Sequence, residues 1–148
     1  LLAENLEEGH EALAKAVEAT RAEAALAFER GADGLFYYID GACPSVSTPM
    51  QYGGFHLEND REILADFQSH GLNIAFIEGT DEPYLDSVSD LPAHALGWRI
   101  AESGISIESL RAMRPGPVAG THPDADLFLA FRAGDTAHLA ASAAEAQR

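Results

Sequence analysis

Four apolar segments of this chain each run into a polar or catalytic-type side chain, and stretches with helical patterning separate them. They are residues 34–40 (GLFYYID), 72–78 (LNIAFIE), 93–99 (AHALGWR) and 117–122 (PVAGTH). Strands that alternate with helices predict βα units and a parallel sheet. In (β/α) barrels the active site lies where strands end and βα loops begin. The pattern therefore predicts an α/β fold with about four parallel strands, half of what a closed (β/α)8 barrel needs.

The segments between the strands show the periodicity of amphipathic helices. A long helix is predicted over 6–30 and ends at Gly31, and a second is predicted over 58–70. Two short helices are predicted to end at Val88 and Met113, the second beginning at Ser106-Ile-Glu-Ser, and an Ala-rich helix follows Asp124. The third strand is placed at 91–96, with His94 as a core histidine inside it, and 41–54 is predicted to be a long loop with at most one short turn of helix. Because no linker interrupts this alternation, residues 1–148 are expected to form a single domain.

The charge and composition of the chain limit the classes of molecule that it is expected to bind. Nine basic residues against 24 acidic ones give a formal net charge of −15. Such a chain repels nucleic acid and anionic lipid, so neither is expected to bind. No apolar run is long enough to cross a bilayer, and one cysteine, Cys43, cannot form an internal disulfide. We therefore expect a cytoplasmic protein in which Cys43 has no catalytic role.

The strand segments and their flanks, taken in order, resemble the uroporphyrinogen decarboxylase superfamily. The segment GADGLFYYID is similar to that family's GADAVQLFD, and LNIAFIEG corresponds to an apolar strand that ends in a polar residue and glycine. LPAHALGW resembles a segment that ends in Trp or Asp in relatives, and VAGTHPD resembles the family's GN-(L/I)-D-P turn. The resemblance covers roughly residues 5–132 and corresponds to the C-terminal half of the family's barrel.

The resemblance implies a partial (β/α)8 TIM barrel with the activity of a carboxy-lyase. By analogy, such an enzyme of porphyrin biosynthesis removes carboxylates from a tetrapyrrole without a cofactor. An open half-barrel would expose sheet edges and an apolar face, so self-association is expected, as a homodimer of two half-barrels.

Three residues at the strand ends are candidates for catalysis. Asp40 ends the first strand and is expected to bind a pyrrole N–H or to orient a proton donor. Glu78 ends the second strand and is a candidate general acid, with a structural salt bridge to a nearby arginine as the alternative. His122 follows the fourth strand and suits proton transfer, with a surface loop position as the alternative.

Five further residues are predicted to bind the substrate: Tyr38, Trp98, Arg99, Gly120 and Thr121. Arg99 is able to hold a carboxylate through two parallel hydrogen bonds. Trp98 is assigned to the core or the pocket wall, with stacking on the substrate as the alternative. Gly120 and Thr121 lie in a turn where backbone N–H groups would face an anion.

Two other functions remain open. The corrinoid-linked methyltransferases of the same superfamily use a His-x-Cys pair and a later cysteine as zinc ligands, whereas this chain has Phe76-Ile-Glu-Gly at that place and one cysteine in all. No metal site is therefore predicted. A non-catalytic half-barrel that binds a small molecule or another chain is the third possibility.

Overall fold

The computed structural model describes residues 6–79, 81–114 and 116–121, in which four parallel strands alternate with helices. The elements, in chain order, are α1 (Leu6–Glu29), β1 (Phe36–Ile39), α2 (Pro49–Phe55), α3 (Leu57–Asp66), β2 (Ile74–Ile77), α4 (Leu85–Val88), β3 (Ala95–Arg99), α5 (Ile100–Ser103), α6 (Ile107–Met113) and β4 (Val118–Thr121). The predicted α/β class with alternating helices and parallel strands is thus confirmed. Closure of this sheet into a barrel stays a prediction.

The strands lie in the sheet in the order of the chain, β1-β2-β3-β4, and each pairs in parallel with the next. An unbroken order means that the chain always moves in one direction across the sheet. Successive right-handed crossovers then place their helices on one face. The main core agrees, since it joins helix residues to one alternating set of strand residues, namely Ile39, Ala75, Ile77, Leu96 and Trp98.

The opposite face of the sheet, here called the inner face, carries the other alternating set, which includes Phe36, Tyr38, Phe76 and Gly97. The register places Tyr38 beside Phe76, and Phe76 beside Gly97. Phe36 and Tyr38 are 55% and 51% exposed, whereas the helix-side residue Ile39 is 3% exposed. The helices therefore bury one face of β1 and leave large aromatic side chains accessible on the other.

Three helical segments differ from the sequence-based prediction. The loop predicted at 41–54 contains α2, which begins with a capping box formed by Thr48 and Gln51 and with a proline at the start of the helix. The helix predicted at 58–70 is α3, which ends four residues earlier, at Asp66. Ile100–Ser103 forms the short helix α5, which was not predicted and ends at Gly104 in the left-handed conformation.

The third strand also lies elsewhere than predicted. β3 runs from Ala95 to Arg99, so His94 precedes the strand instead of interrupting it. The apolar run from Leu91 to Trp98 offers more than one possible strand position. Pairing with β2 selects the later one because Ile74 is opposite Ala95 and Ile77 is opposite Trp98. His94 accepts a hydrogen bond at Nδ1 from the backbone N–H of Asn73, 3.0 Å away.

Two buried polar side chains join the elements at the amino-terminal edge of the sheet. Asn73 is 0% exposed; its Nδ2 donates to the carbonyl of Phe67 (2.7 Å), and its Oδ1 accepts from the N–H of Leu35 (3.0 Å). Arg114, which follows α6, is 8% exposed. Its guanidinium donates to the backbone carbonyls of Ser89, Leu91 and Ala93. Both side chains thereby hold the segments that lead into β1 and β3.

A search of the described helices for a candidate membrane span found none that combines sufficient length with sufficient apolar character.

Candidate functional site

The carboxyl-terminal edge of the sheet brings three of the predicted site residues together on the inner face. Side chains alternate along a strand, so Tyr38 in β1 and Glu78 after β2 both point away from the helix side. Ile77 is paired with Trp98, which places Glu78 level with Arg99 at the end of β3. The strand register therefore brings these residues together, and the spacing of residues in the sequence does not by itself specify that register.

Glu78 and Arg99 form the principal contact of this site. The Nε of Arg99 lies 2.7 Å from Oε1 of Glu78, and the two side chains are 33% and 18% exposed. Partial burial strengthens the attraction relative to that of a fully solvated pair. The second carboxylate oxygen, Oε2 of Glu78, is buried and has no hydrogen-bond partner. The Glu78 carboxylate is thus paired with Arg99 and also accepts a hydrogen bond from the Tyr38 hydroxyl.

The hydroxyl of Tyr38 lies in the electrostatic field of the same pair. Burial raises the pKa of Tyr38, the hydrogen bond that its hydroxyl donates to Glu78 and the charges of Glu78 and Asp40 raise it further, and Arg99 lowers it. The net direction is upward, so the hydroxyl keeps its proton and is a hydrogen-bond donor at neutral pH. The site therefore combines one cation, two carboxylates and one neutral donor.

Aromatic rings extend from this polar cluster along the inner face. Phe76 is stacked between its neighbours on β1, with ring centroids 5.6 Å from Phe36 and 5.9 Å from Tyr38. The ring planes are inclined by 25° and 16°, respectively. Such a surface is suited to bind apolar or ring-shaped groups. The charged cluster at the carboxyl ends of the strands is suited to bind the polar substituents of those groups.

The loop that follows β1 is held beside the site by hydrogen bonds. Ser47 donates to the carbonyl of Gly41 (2.6 Å), and Tyr84 donates to the carbonyl of Ser47 (2.5 Å). Gly79, with φ of 154°, lets the loop after β2 approach Cys43, because a Cβ at this glycine would lie 2.9 Å from that of Cys43. Cys43 is buried, with Sγ 3.2 Å from the Ser45 hydroxyl.

The remaining predicted site residues are placed differently. Asp40 is exposed at the end of β1, next to the cluster. Trp98 is 0% exposed in the helix-side core, and its Nε1 donates to the carbonyl of Ile105 (3.1 Å), so the fold does not bring it to the inner face. Gly120 and Thr121 belong to β4, where Thr121 is paired with Arg99. His122 lies outside the described residues.

A partly buried carboxylate that sequence reasoning did not single out lies on the helix side of the sheet. Asp60 of α3 accepts hydrogen bonds from the hydroxyls of Tyr37 and Tyr52, each at 2.7 Å and each at a different carboxylate oxygen. Burial raises the pKa of Asp60, whereas the two tyrosine donors and the nearby His56 lower it; the net direction is upward. Its partners are 23 and 8 residues away in the chain, so no local pattern indicates this cluster.

Within the part of the chain that the structure describes, no group of three or more His, Cys, Asp or Glu side chains is arranged to hold a metal ion. Comparison with known proteins gives no further guide to function: no protein-family model, no curated protein and no solved structure matches this chain.

Proposed function

We propose that this chain is a uroporphyrinogen-decarboxylase-like carboxy-lyase, acting on a tetrapyrrole without a cofactor, and that its sheet is part of a (β/α)8 barrel. The observation that carries the proposal is the contact between Glu78 and Arg99 beside Tyr38. It lies on the inner face at the carboxyl edge of a parallel sheet, which is where barrel enzymes hold their substrates.

Each group of the cluster suits one part of such a substrate. The guanidinium of Arg99 binds a substrate carboxylate, since its planar fork matches that geometry. The unpaired Oε2 of Glu78 accepts a hydrogen bond from a pyrrole N–H. Tyr38, which keeps its proton, exchanges its hydrogen bond to Glu78 for one to a second substrate oxygen. Asp40 at the rim has room for a further pyrrole N–H because it is exposed.

The net charge of −15 opposes the approach of a substrate that carries several carboxylates. Local attraction by Arg99 must therefore outweigh a repulsive long-range field. Added salt screens long-range repulsion more than it weakens a contact in a partly buried site. We accordingly expect substrate affinity to rise from low to moderate ionic strength, the opposite of the behaviour of a basic anion-binding protein.

The exposure of the inner face supports the proposals that the sheet belongs to a barrel and that the chain self-associates. Phe36 and Tyr38 are more than half exposed, as expected for side chains that further strands would cover. We propose that two copies associate through this face and the open sheet edges, bringing together eight strands. Light scattering is expected to give the mass of a dimer, and a stable monomer at micromolar concentration would contradict this proposal.

The activity is tested with uroporphyrinogen prepared by chemical reduction of uroporphyrin. We expect stepwise loss of carbon dioxide, followed by mass spectrometry of the products. Arg99→Gln should lower the rate at least about tenfold, because the substrate carboxylate loses its cation. Arg111→Gln, an exposed arginine on α6, is the matched control and should leave the rate unchanged. Unaltered substrate after incubation with the wild-type protein would refute the proposed activity.

A further inference from the structure

The partly buried carboxylate of Asp60 connects the two elements that flank the β1–α2 loop, residues 40–48. It accepts one hydrogen bond from Tyr37 in β1 and one from Tyr52 in α2, each at 2.7 Å. The strand β1 is also fixed by its pairing with β2, whereas the helix α2 lies outside the sheet and packs on α3. The bond to Tyr52 therefore matters more for the position of the loop than the bond to Tyr37.

The Tyr52 ring transmits this restraint to the loop. Tyr52 is 1% exposed, and Cδ2 of its ring lies 3.5 Å from the place that a Cβ would occupy on Gly41. Gly41 directly follows Asp40, the exposed carboxylate at the end of β1. The ring thus lies against the backbone that carries Asp40, and the hydrogen bond from its hydroxyl to Asp60 limits its movement.

We propose that Asp60 is a positioning residue for the site at the carboxyl edge: through Tyr52 it holds the β1–α2 loop, and with the loop Asp40, in one arrangement. This inference rests on the proposed function in one respect, because it takes Asp40 to act on the substrate. The restraint itself is a property of the folded chain and is measurable without a substrate. Displacing a reacting group by about 1 Å costs much of its effect, so a restraint on the loop bears directly on turnover.

Cys43 reports on the position of the loop. It is the one cysteine of the chain, it lies within the β1–α2 loop, and it is 1% exposed. Iodoacetamide, a small uncharged thiol reagent, therefore reacts with it only when the loop opens or the chain unfolds. Labelling through local opening depends weakly on urea, whereas labelling through global unfolding rises steeply with urea, so the two routes are separable.

The variant that tests the proposal is Tyr52→Phe, which keeps the ring against Gly41 and removes its hydrogen bond to Asp60. Without urea, Cys43 should react at least about tenfold faster than in the wild-type protein, because a hydrogen bond to a charged group is lost. Tyr37→Phe removes the other hydrogen bond of the same carboxylate and is the matched control. It should change the rate by no more than about twofold, since β1 stays paired. Unchanged labelling of Tyr52→Phe, or equal acceleration in both variants, would overturn the proposal.

The decarboxylation assay separates this inference from the function on which it rests. Tyr52→Phe should lower the rate about threefold or more in the wild-type background and have no further effect in Asp40→Asn, because the restraint acts through Asp40. Additive losses in the double variant would overturn the positioning of Asp40. An inactive wild-type protein, together with faster labelling of Tyr52→Phe, would refute the proposed function and leave the restraint on the loop standing.

Discussion

The two edges of the sheet use buried polar side chains in opposite ways. At the amino-terminal edge, the Asn73 side chain has a partner for both its oxygen and its nitrogen. Arg114 donates to three backbone carbonyls, and its Nε is buried without a hydrogen-bond partner. At the carboxyl-terminal edge, Glu78 is paired at one oxygen, and the other is buried without a partner. The first two side chains bond to backbone groups of neighbouring segments, whereas Glu78 pairs with the side chain of Arg99 on the next strand.

This difference predicts that the amino-terminal edge matters more for stability, and binding at the carboxyl-terminal edge stays a proposal. A buried side chain that bonds to several backbone groups stabilises one backbone arrangement, while an ion pair between two partly exposed side chains contributes less to stability. Parallel α/β proteins commonly separate these roles between the edges of the sheet. Substitutions at the two edges should therefore affect stability and binding in opposite proportions.

The largest effect on stability is expected from Arg114→Ala. The substitution leaves the carbonyls of Ser89, Leu91 and Ala93 without their common donor, in a segment that leads into β3. We expect a loss of about 3 kcal/mol in the free energy of unfolding, measured by urea denaturation. Arg111→Ala, at an exposed position of α6, should cost no more than about 0.5 kcal/mol. Equal losses for the two variants would remove the stabilising role assigned to the amino-terminal edge.

A smaller, pH-dependent effect is expected from Asp60→Asn. Because the pKa of Asp60 is raised in the folded protein, the folded state binds a proton more readily than the unfolded chain. Its contribution to stability is therefore full below the ordinary aspartate pKa and is lost as pH rises through the higher folded value. The difference in unfolding free energy between the wild-type protein and Asp60→Asn should fall over that window and then level off.

Urea midpoints at a series of pH values measure this difference. Asp66→Asn is the matched control, since it removes a carboxylate from the last residue of the same helix, where the side chain is 51% exposed. The opposite trend, with the wild-type protein gaining stability over Asp60→Asn as pH rises, would show that the two tyrosine hydrogen bonds outweigh burial. In that case a partly buried carboxylate with two tyrosine donors would be a net source of stability.

The smallest effect on stability is expected from Glu78→Gln. The substitution weakens one partly exposed ion pair but also removes a buried charge that has an unpaired oxygen. These effects oppose each other, so the unfolding free energy should change by less than about 1 kcal/mol. A loss as large as that of Arg114→Ala, measured in the same urea experiment, would make the ion pair structural and would break the contrast between the edges.

Local sequence patterns predicted which helices and strands form better than they predicted where those elements begin and end. The long helix α1 and the N-cap of α6 at Ser106 follow from spacing and capping residues, which act within a few positions of the chain. The start of β3 did not follow, because an apolar run allows several registers and only pairing with Ile74 and Ile77 selects one. The roles of Asp60 and Arg114 were missed because their partners are distant in sequence.

The sequence predicted that the candidate site lies at the ends of the strands, but it did not predict which residues belong to the site. Glu78 and Arg99 were both proposed from their positions after apolar segments, and a salt bridge from Glu78 to an arginine was one of the alternatives. Trp98 was proposed with them, yet it is adjacent to Arg99 in a strand and therefore faces the opposite side of the sheet. Neighbouring residues of a strand point to opposite faces of the sheet, so the strand register decides which residues belong to the site.

The sequence by itself determined that this chain forms parallel βα units with polar groups at the strand ends, since apolar periodicity, glycines and caps act locally. Only the tertiary structure decided that all the core-forming helices lie on one face, that aromatic rings are exposed on the other, and that Glu78 meets Arg99 there. The physical reason is that strand pairing fixes which alternate side chains share a face, and pairing joins residues far apart in the chain.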